Sequence, residues 1–439
     1  MGRSITCLAL AAAIIMSAST VRAEGKWETN AAAEQASELG LKWLASNQGK
    51  EGNWDSQDLG LVSMGALAFL STGNTPETGK YRENVRRALD YILANAKPSG
   101  MLNIAGNRRD MYNHGLATFV LTQAYGMSND KRLGRALRKA VKVIIDVQCK
   151  DGGWDYVGAR QDKGHDLSLA VMQAKALRGS MDIGIHIPRD TIKLAVESVQ
   201  GYYRSSRKNA DNLAARYRWT EEDAKYPGRF TYNGGQGTTA MAAAGAVCLQ
   251  EFGKYDDYRI RRSMNEVLSD IKTRMKVENG RIPFDPYTMY YVAQSLYQMG
   301  GKVWQEGYPL IRKAIVDSQT RKGGAAADIG SWGGRRVSGK PGQMYGTSVA
   351  VFALNIPNRF LPILQEGKSS GKRKSIRRAT RPIHADEKTK LAKSKKDSKT
   401  LVVSKNSDGK ADSPVKLAIT IHRDATSDSH GKKRKALTE

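Results

Sequence analysis

Asp58, His114, His165 and Asp166 are the side chains of this sequence best suited to proton transfer. A histidine titrates near neutral pH, an adjacent carboxylate selects which ring nitrogen keeps the proton, and carboxylates in different surroundings divide the roles of acid and base. Each of the four opens or adjoins a small, nearly uncharged stretch: DLGLVSMGALAFL from Asp58, HGLATFVLTQAYG from His114, HDLSLAVMQAKAL from His165. Tyr112, Thr238, Tyr287 and Tyr345 hold the corresponding places around these and the similar stretches that follow, and are candidate ligand contacts. The competing reading is structural. An Asp or Thr opening a helix accepts from a free amide, and His114 is then a histidine hydrogen-bonded near a helix start. Convergence of the four on a metal would need distances that a sequence does not fix, and the expectation is of no metal and no cofactor.

These residues must be positioned by helices of two kinds. KYRENVRRALDYILANA, KRLGRALRKAVKVIIDVQ, RDTIKLAVESVQGYY and YRIRRSMNEVLSDIKTRM repeat apolar residues every three or four positions and carry one wet, charged face. The stretches named above, with TTAMAAAGAVCL, PYTMYYVAQSLY and YGTSVAVFAL, are dry all round and must be buried all round. Alternating wet and dry helices in six pairs predict an all-α closed double ring with the dry helices inside. In such a ring the inner-helix N-termini gather at one mouth, where free amides and the helix dipoles favour an anion or a polar group.

The turns between the helices repeat. GLKWLASNQGKEGNW holds Gln48, Gly52 and Trp54; KAVKVIIDVQCKDGGW holds Gln148, Gly152 and Trp154 at identical spacing. Between them RALDYILANAKPSGML keeps Gly100, with Ala96 in the Gln place and Leu102 in the Trp place, so the three turns lie 48 and 52 residues apart. Weaker copies follow at Gly228-Phe230, at Gly280-Ile282 and at Gln319, Gly330 and Trp332. A repeat of this length is a helix-pair period.

The Gln-x3-Gly-x-Trp units resemble the QW repeats of the squalene–hopene cyclase and prenyltransferase superfamily, and residues 30–365 resemble the secreted bacterial proteins described as prenyltransferase and squalene oxidase repeat proteins. The resemblance implies an (α/α)6 toroid in which the Gln caps its outer helix and the Trp packs across the turn as a brace. It does not carry the chemistry across. The Asp-x-Asp-Asp acid of the cyclases has no match; the nearest run, KYDD at 254–257, begins with Lys254 and reads as a solvated surface pair. Neither Cys149 nor Cys248 has an Asp two residues before it, as the prenyltransferase zinc site requires, and Cys248-Leu249-Gln250-Glu251 is not the Cys-Gly-Glu-Gln of the related thioester domains.

The ends of the chain read differently. MGRSITCLALAAAIIMSASTVRA, residues 1–23, has the basic start, apolar run and small-residue end of a cleaved signal peptide, and its apolar run is too short to span a bilayer. Export to the periplasm or beyond is expected, with no membrane-spanning segment left after cleavage. Residues 24–365 form the expected toroid domain. Residues 366–439 carry 21 Lys or Arg against 9 Asp or Glu, so +12 of the net charge of +27 lies in a tail without aromatic residues or apolar periodicity, which is expected to be disordered. Charge so distributed suits anionic surfaces and not specific nucleic-acid recognition.

Three functions follow from this reading. A non-catalytic binding or scaffold toroid would present its mouth to a lipid, peptide or glycan. A cyclase-like enzyme would need an apolar chamber with cation-stabilising aromatic rings, for which Tyr287, Tyr290 and Tyr291 are the dense group. A glycan-cleaving barrel would need two facing carboxylates among Asp58, Asp155, Asp166 and Asp285. The missing catalytic signatures favour the first.

Overall fold

The structure is a computed structural model that describes residues 28–106, 109–206, 225–235, 237–275, 284–321, 326–333 and 340–365. The signal sequence, the basic tail and the turn at Gly280-Ile282 lie outside the described residues.

The helices follow one another in pairs: α1 (Ala31–Asn47) and α2 (Leu59–Ser71), α3 (Arg82–Ala94) and α4 (Asp110–Gly126), α5 (Lys131–Asp146) and α6 (Leu167–Asp182). Then come α7 (Arg189–Gln200) and α8 (Thr239–Glu251), α9 (Tyr258–Arg274) and α10 (Pro286–Met299), α11 (Gly301–Asp317) and α12 (Lys340–Asn355). The even-numbered helices each pack on the next, and α12 returns to α2, which closes an inner ring; the odd-numbered helices lie outside it. The protein is an all-α toroid. Its pattern of burial is the pattern of charge: in α8 every residue from Thr239 to Glu251 is buried, whereas α5 buries only the stripe Leu133, Gly134, Leu137, Ala140, Val141 and Ile144. Among the described residues no helix is long and apolar enough to cross a membrane.

One segment departs from the helical reading. α7 stops at Gln200, and Tyr203–Ser205 (β1) pairs antiparallel with Gly228–Phe230 (β2), Tyr203 opposite Phe230. Aromatic Tyr202 and Tyr203 after Gly201 suit a strand better than another helical turn. Phe230 still takes the place of a turn Trp, since its ring lies against Gly245 of α8 as the Trp54 ring lies against Gly65 of α2.

The three complete turns share one hydrogen-bond scheme. The side-chain amides of Gln48, Gln148 and Gln319 each donate to the carbonyl of their own turn glycine, Gly52, Gly152 and Gly330, at 3.2, 2.9 and 3.0 Å. The same nitrogens donate to Asn84 O of α3, Thr191 O of α7 and Ala36 O of α1, at 2.9, 3.0 and 2.8 Å. The indoles of Trp54, Trp154 and Trp332 donate to Leu44 O, Ile144 O and Ile315 O, four residues before each Gln. Those carbonyls are in the last turn of an outer helix, where the regular ladder of amides runs out. The indole therefore caps the helix, and the Gln staples its turn to the next outer helix. Each such buried bond contributes roughly 1 kcal/mol net and costs more to leave unmade.

A short turn at Pro362–Leu364 closes the face opposite the mouth: Ile363 N donates to Gln123 Oε1 of α4 at 3.0 Å, and the Tyr297 hydroxyl of α10 donates to Leu364 O at 2.6 Å.

Candidate functional site

The inner helices start at one face, and the loops before them bring the polar residues of the mouth together. Asp58, Asp166, Thr238 and Asp285 are N-caps of α2, α6, α8 and α10: Asp58 accepts from Gly60 N and Leu61 N, Asp166 from Ser168 N and Leu169 N, Thr238 from Met241 N and Asp285 from Thr288 N. Asp155 accepts from Val157 N in the loop before α6. Each carboxylate among the sequence candidates thus spends an oxygen on a local amide. Burial raises the Asp58 carboxyl above its usual range, opposed by the Leu61 amide, the Asn113 side chain and the nearby Arg109.

His114 is committed elsewhere. It is fully buried, its Nδ1 accepts from Leu102 N at 2.9 Å, and its Nε2 donates to Ala140 O at 2.9 Å. Those bonds pin the turn at Leu102 to α5 and leave no ring nitrogen for substrate or metal. Burial pushes its pKa down to about 4, so the ring is neutral. Among the described residues no group of three or more His, Cys, Asp or Glu stands together as a metal site. Cys149 and Cys248 are both buried free thiols.

His165 and Asp166 are placed differently. His165 keeps 41% of its side chain exposed, while the Asp166 side chain is fully buried. The His165 Nδ1–H donates to Asp166 Oδ2 at 2.7 Å, and the Ser168 hydroxyl donates to Oδ1. Tyr156 stands edge-on to His165 with ring centroids 4.8 Å apart, and the Tyr156 and Tyr232 hydroxyls share a hydrogen bond of 2.8 Å. Backbone bonds hold the cluster: Met111 N donates to Tyr156 O, His165 N to Trp154 O and Leu167 N to Tyr232 O. Burial, then the Asp166 charge, raises the Tyr156 and Tyr232 hydroxyls, which stay protonated. Tyr156 and Tyr232 are visible in the sequence as a shared G-x-aromatic-x-Tyr pattern, and the fold turns that pattern into a contact.

Tyr112 of α4, Tyr287 of α10 and Tyr345 of α12 complete the rim. All three are half-buried, and protein surrounds them closely enough to push each hydroxyl well above the usual tyrosine range. Tyr287 stands edge-on to Tyr291 of the same helix with ring centroids 4.9 Å apart, and lies within electrostatic reach of Asp166, Tyr345 and Tyr156. Each keeps some exposure at the mouth although protein encloses it closely.

The inner helices are packed together through a buried cluster. The Lys175 ammonium of α6 sits 4.1 Å from the ring centre of Phe119 on α4, 4.3 Å from that of Tyr290 on α10 and 6.0 Å from that of Phe352 on α12. It also donates to the Tyr290 hydroxyl and to Gln294 Oε1. Four inner helices therefore meet through side chains on the axis, and Lys175, Tyr290, Tyr291, Phe119 and Phe352 are each at most 1% exposed. Beneath lies Glu251, buried at the end of α8, accepting from Gln298 Nε2 at 2.7 Å. Burial drives the Lys175 pKa down and the Glu251 pKa up, each partly offset by the other's charge. Neither is among the candidates the sequence offers, although Glu251 is the one charge of α8 and Lys175 the one buried charge of α6.

The KYDD run is no solvated pair. Asp256 is exposed, but Asp257 caps α9, ion-pairs with Arg259 at 2.8 Å and accepts from Gln200 Nε2 at 2.8 Å. It belongs to an outer helix.

No protein-family model matches the sequence, and no curated protein matches it. Among solved structures the chain is similar to an α-1,6-mannanase of Salegentibacter sp. HEL1_6, an inactive double Asp-to-Asn variant in complex with α-1,6-mannotriose. The identity is 11%, with 73% of this chain and 99% of that one covered, at a TM-score of 0.50. A GH76 α-mannanase of Bacteroides thetaiotaomicron matches at 10% identity over 74% and 96%, TM-score 0.49. A type II terpene cyclase from Scytonema, solved with geranylgeranyl dihydroxybenzoate, matches at 12% over 75% and 98%, TM-score 0.45. The first similarity is one of fold, and it places this chain among the α/α toroids without assigning a narrower family.

Proposed function

We propose that the protein is an exported toroid that binds a glycan across the mouth of its inner ring. The observation that carries this is the rim itself: partly exposed rings of Tyr112, Tyr287 and Tyr345, with Tyr156, Tyr232 and His165, above the packed cluster of Lys175 and three aromatic rings. Aromatic faces with a neutral hydroxyl at one end suit a ligand that is apolar on its ring faces and polar at its edges, as a sugar is. An isoprenoid would need an apolar chamber at the depth where Phe119, Tyr290 and Phe352 already touch Lys175. Two-carboxylate hydrolysis is disfavoured because Asp58, Asp166 and Asp285 each hold a helix start. The mannanase of similar fold was solved in complex with mannotriose, which accords with a glycan as the ligand class.

Isothermal titration against neutral and acidic oligosaccharides tests the reading. Tyr287→Ala and Tyr345→Ala are each expected to weaken binding about tenfold, or about 1.4 kcal/mol. Loss of no affinity in either variant, or no glycan bound by the unaltered chain, sinks it.

A further inference from the structure

His165 and Tyr156 have the arrangement of a base beside an acid. The carboxylate of Asp166 only accepts, so it keeps the imidazole proton on Nδ1 and leaves the lone pair on Nε2, which has no partner among the described residues. The ring that carries it is 41% exposed at the rim. Tyr156, a protonated phenol in edge contact with that ring, can give up a proton while its hydrogen bond to Tyr232 supports the oxygen left behind. An imidazole is too weak a base for an ordinary sugar carbon. It is strong enough for a carbon whose proton is acidified by a neighbouring carboxylate, and a glycan of that kind is anionic, as suits a chain of net charge +27. Arg109 at the start of α4, within electrostatic reach of Asp58, supplies a cation on the neighbouring rim.

We propose that this site cleaves a uronate-containing polysaccharide by β-elimination, with His165 as the base and Tyr156 as the acid. The proposal rests on the mouth being a glycan site. His165 Nε2 takes the proton from C5 of the uronate; the electron pair forms the C4=C5 double bond; the C4–O bond breaks; and the departing glycosidic oxygen takes the Tyr156 proton. Water then returns the proton from His165 to Tyr156, so no water is consumed and nothing is oxidised or reduced.

The test incubates the mature chain with alginate, polygalacturonate, hyaluronan, chondroitin sulfate and heparin. It follows the ultraviolet absorbance of the new double bond, with binding measured in parallel by titration. Cleavage of at least one polymer is expected. His165→Gln and Tyr156→Phe should each lower kcat by about a hundredfold or more, a larger loss than any accompanying loss of affinity for the polymer, with an unchanged circular dichroism spectrum. Binding without any rise in absorbance overturns the elimination and leaves the glycan reading standing. New reducing ends without the absorbance identify hydrolysis and overturn it as well, as does full activity in either variant. Absence of both binding and cleavage overturns the two readings together.

Discussion

Gly152 and Gly184 form a matched pair that separates backbone strain from packing. Both have left-handed backbone, φ +86° and +88°. A methyl group on Gly184, just past the end of α6, would meet nothing within 4 Å, whereas one on Gly152 would lie 2.1 Å from Leu194 O and 2.3 Å from Leu194 C of α7. Gly184→Ala therefore costs only the left-handed penalty, about 1–2 kcal/mol. Gly152→Ala carries the same penalty, and in addition the turn must retreat by about an ångström to reach even the 3.0 Å below which real Cβ contacts essentially never fall. That retreat overpacks the joint, typically about 1–3 kcal/mol. It also strains the Gln148 bond to Thr191 O, now 3.0 Å, whose buried groups cost roughly 1–3 kcal/mol if left unpaired. The expected difference between the two variants is about 2–6 kcal/mol. Denaturant unfolding measures it as a shift of midpoint at constant slope. Equal midpoints would refute the claim that the turn glycines are there to let one outer helix touch the next.

Three further outcomes test the interior. Lys175 carries a lowered pKa, about 7 against 10.5, so the unfolded chain binds the extra proton between those values and stability rises with pH across them. Lys175→Met should therefore stabilise the fold below neutral pH, where Glu251 is kept protonated by its raised pKa, and the gain should vanish as pH approaches 10; thermal melts that show a pH-independent gain contradict this. His114, held neutral with its pKa at about 4 against 6.5, should cost roughly 3 kcal/mol of stability as pH falls through that window. His114→Gln would flatten that limb of the stability profile, and an unchanged slope would show that the histidine is not the group responsible. Lys175→Ala should destabilise by about 2–5 kcal/mol and regain part of this as butylammonium is added, seen as a concentration-dependent rise in Tm; no rise means the aromatic rings do not hold a cation.

The ring was legible because burial on all sides and burial on one side leave different marks on a sequence. TTAMAAAGAVCL could only be an inner helix and KRLGRALRKAVKVIID only an outer one. The braces were legible as identical spacing, but their roles were not. Spacing puts Gln148 and Trp154 in one turn without saying that the indole takes the helix-end carbonyl while the amide crosses to Thr191, 43 residues away. At the mouth the limit is the same. His114 and His165 are both histidines at helix starts, and the carboxylate that orients His165 is its neighbour Asp166, legible in the sequence. What occupies His114 is not legible, since Leu102 N and Ala140 O lie 12 and 26 residues away. Lys175 was missed for a related reason, since its partners Phe119, Tyr290 and Phe352 come from three other helices.

Lys175 also bears on where function can reside. A ring of six inner helices leaves an axial space that something must fill, and an unfilled one forfeits the packing that holds the ring together. Here the chain fills it from within. A long amine reaches from α6 into three aromatic rings, with Gln294 and the Tyr290 hydroxyl taking its protons and Glu251 near enough to compensate its charge. A desolvated cation is costly unless it is paired in this way, so the occupant is held by contacts that a guest would have to displace together. The proposed glycan is thereby left the mouth above, among residues that stand at helix starts. There three carboxylates serve as caps, and one of them, Asp166, also holds the His165 ring with its second oxygen. The packed axis and the capped rim leave the imidazole as the mouth's free base, which is why the substitutions at His165 discriminate between a site that only binds and one that reacts.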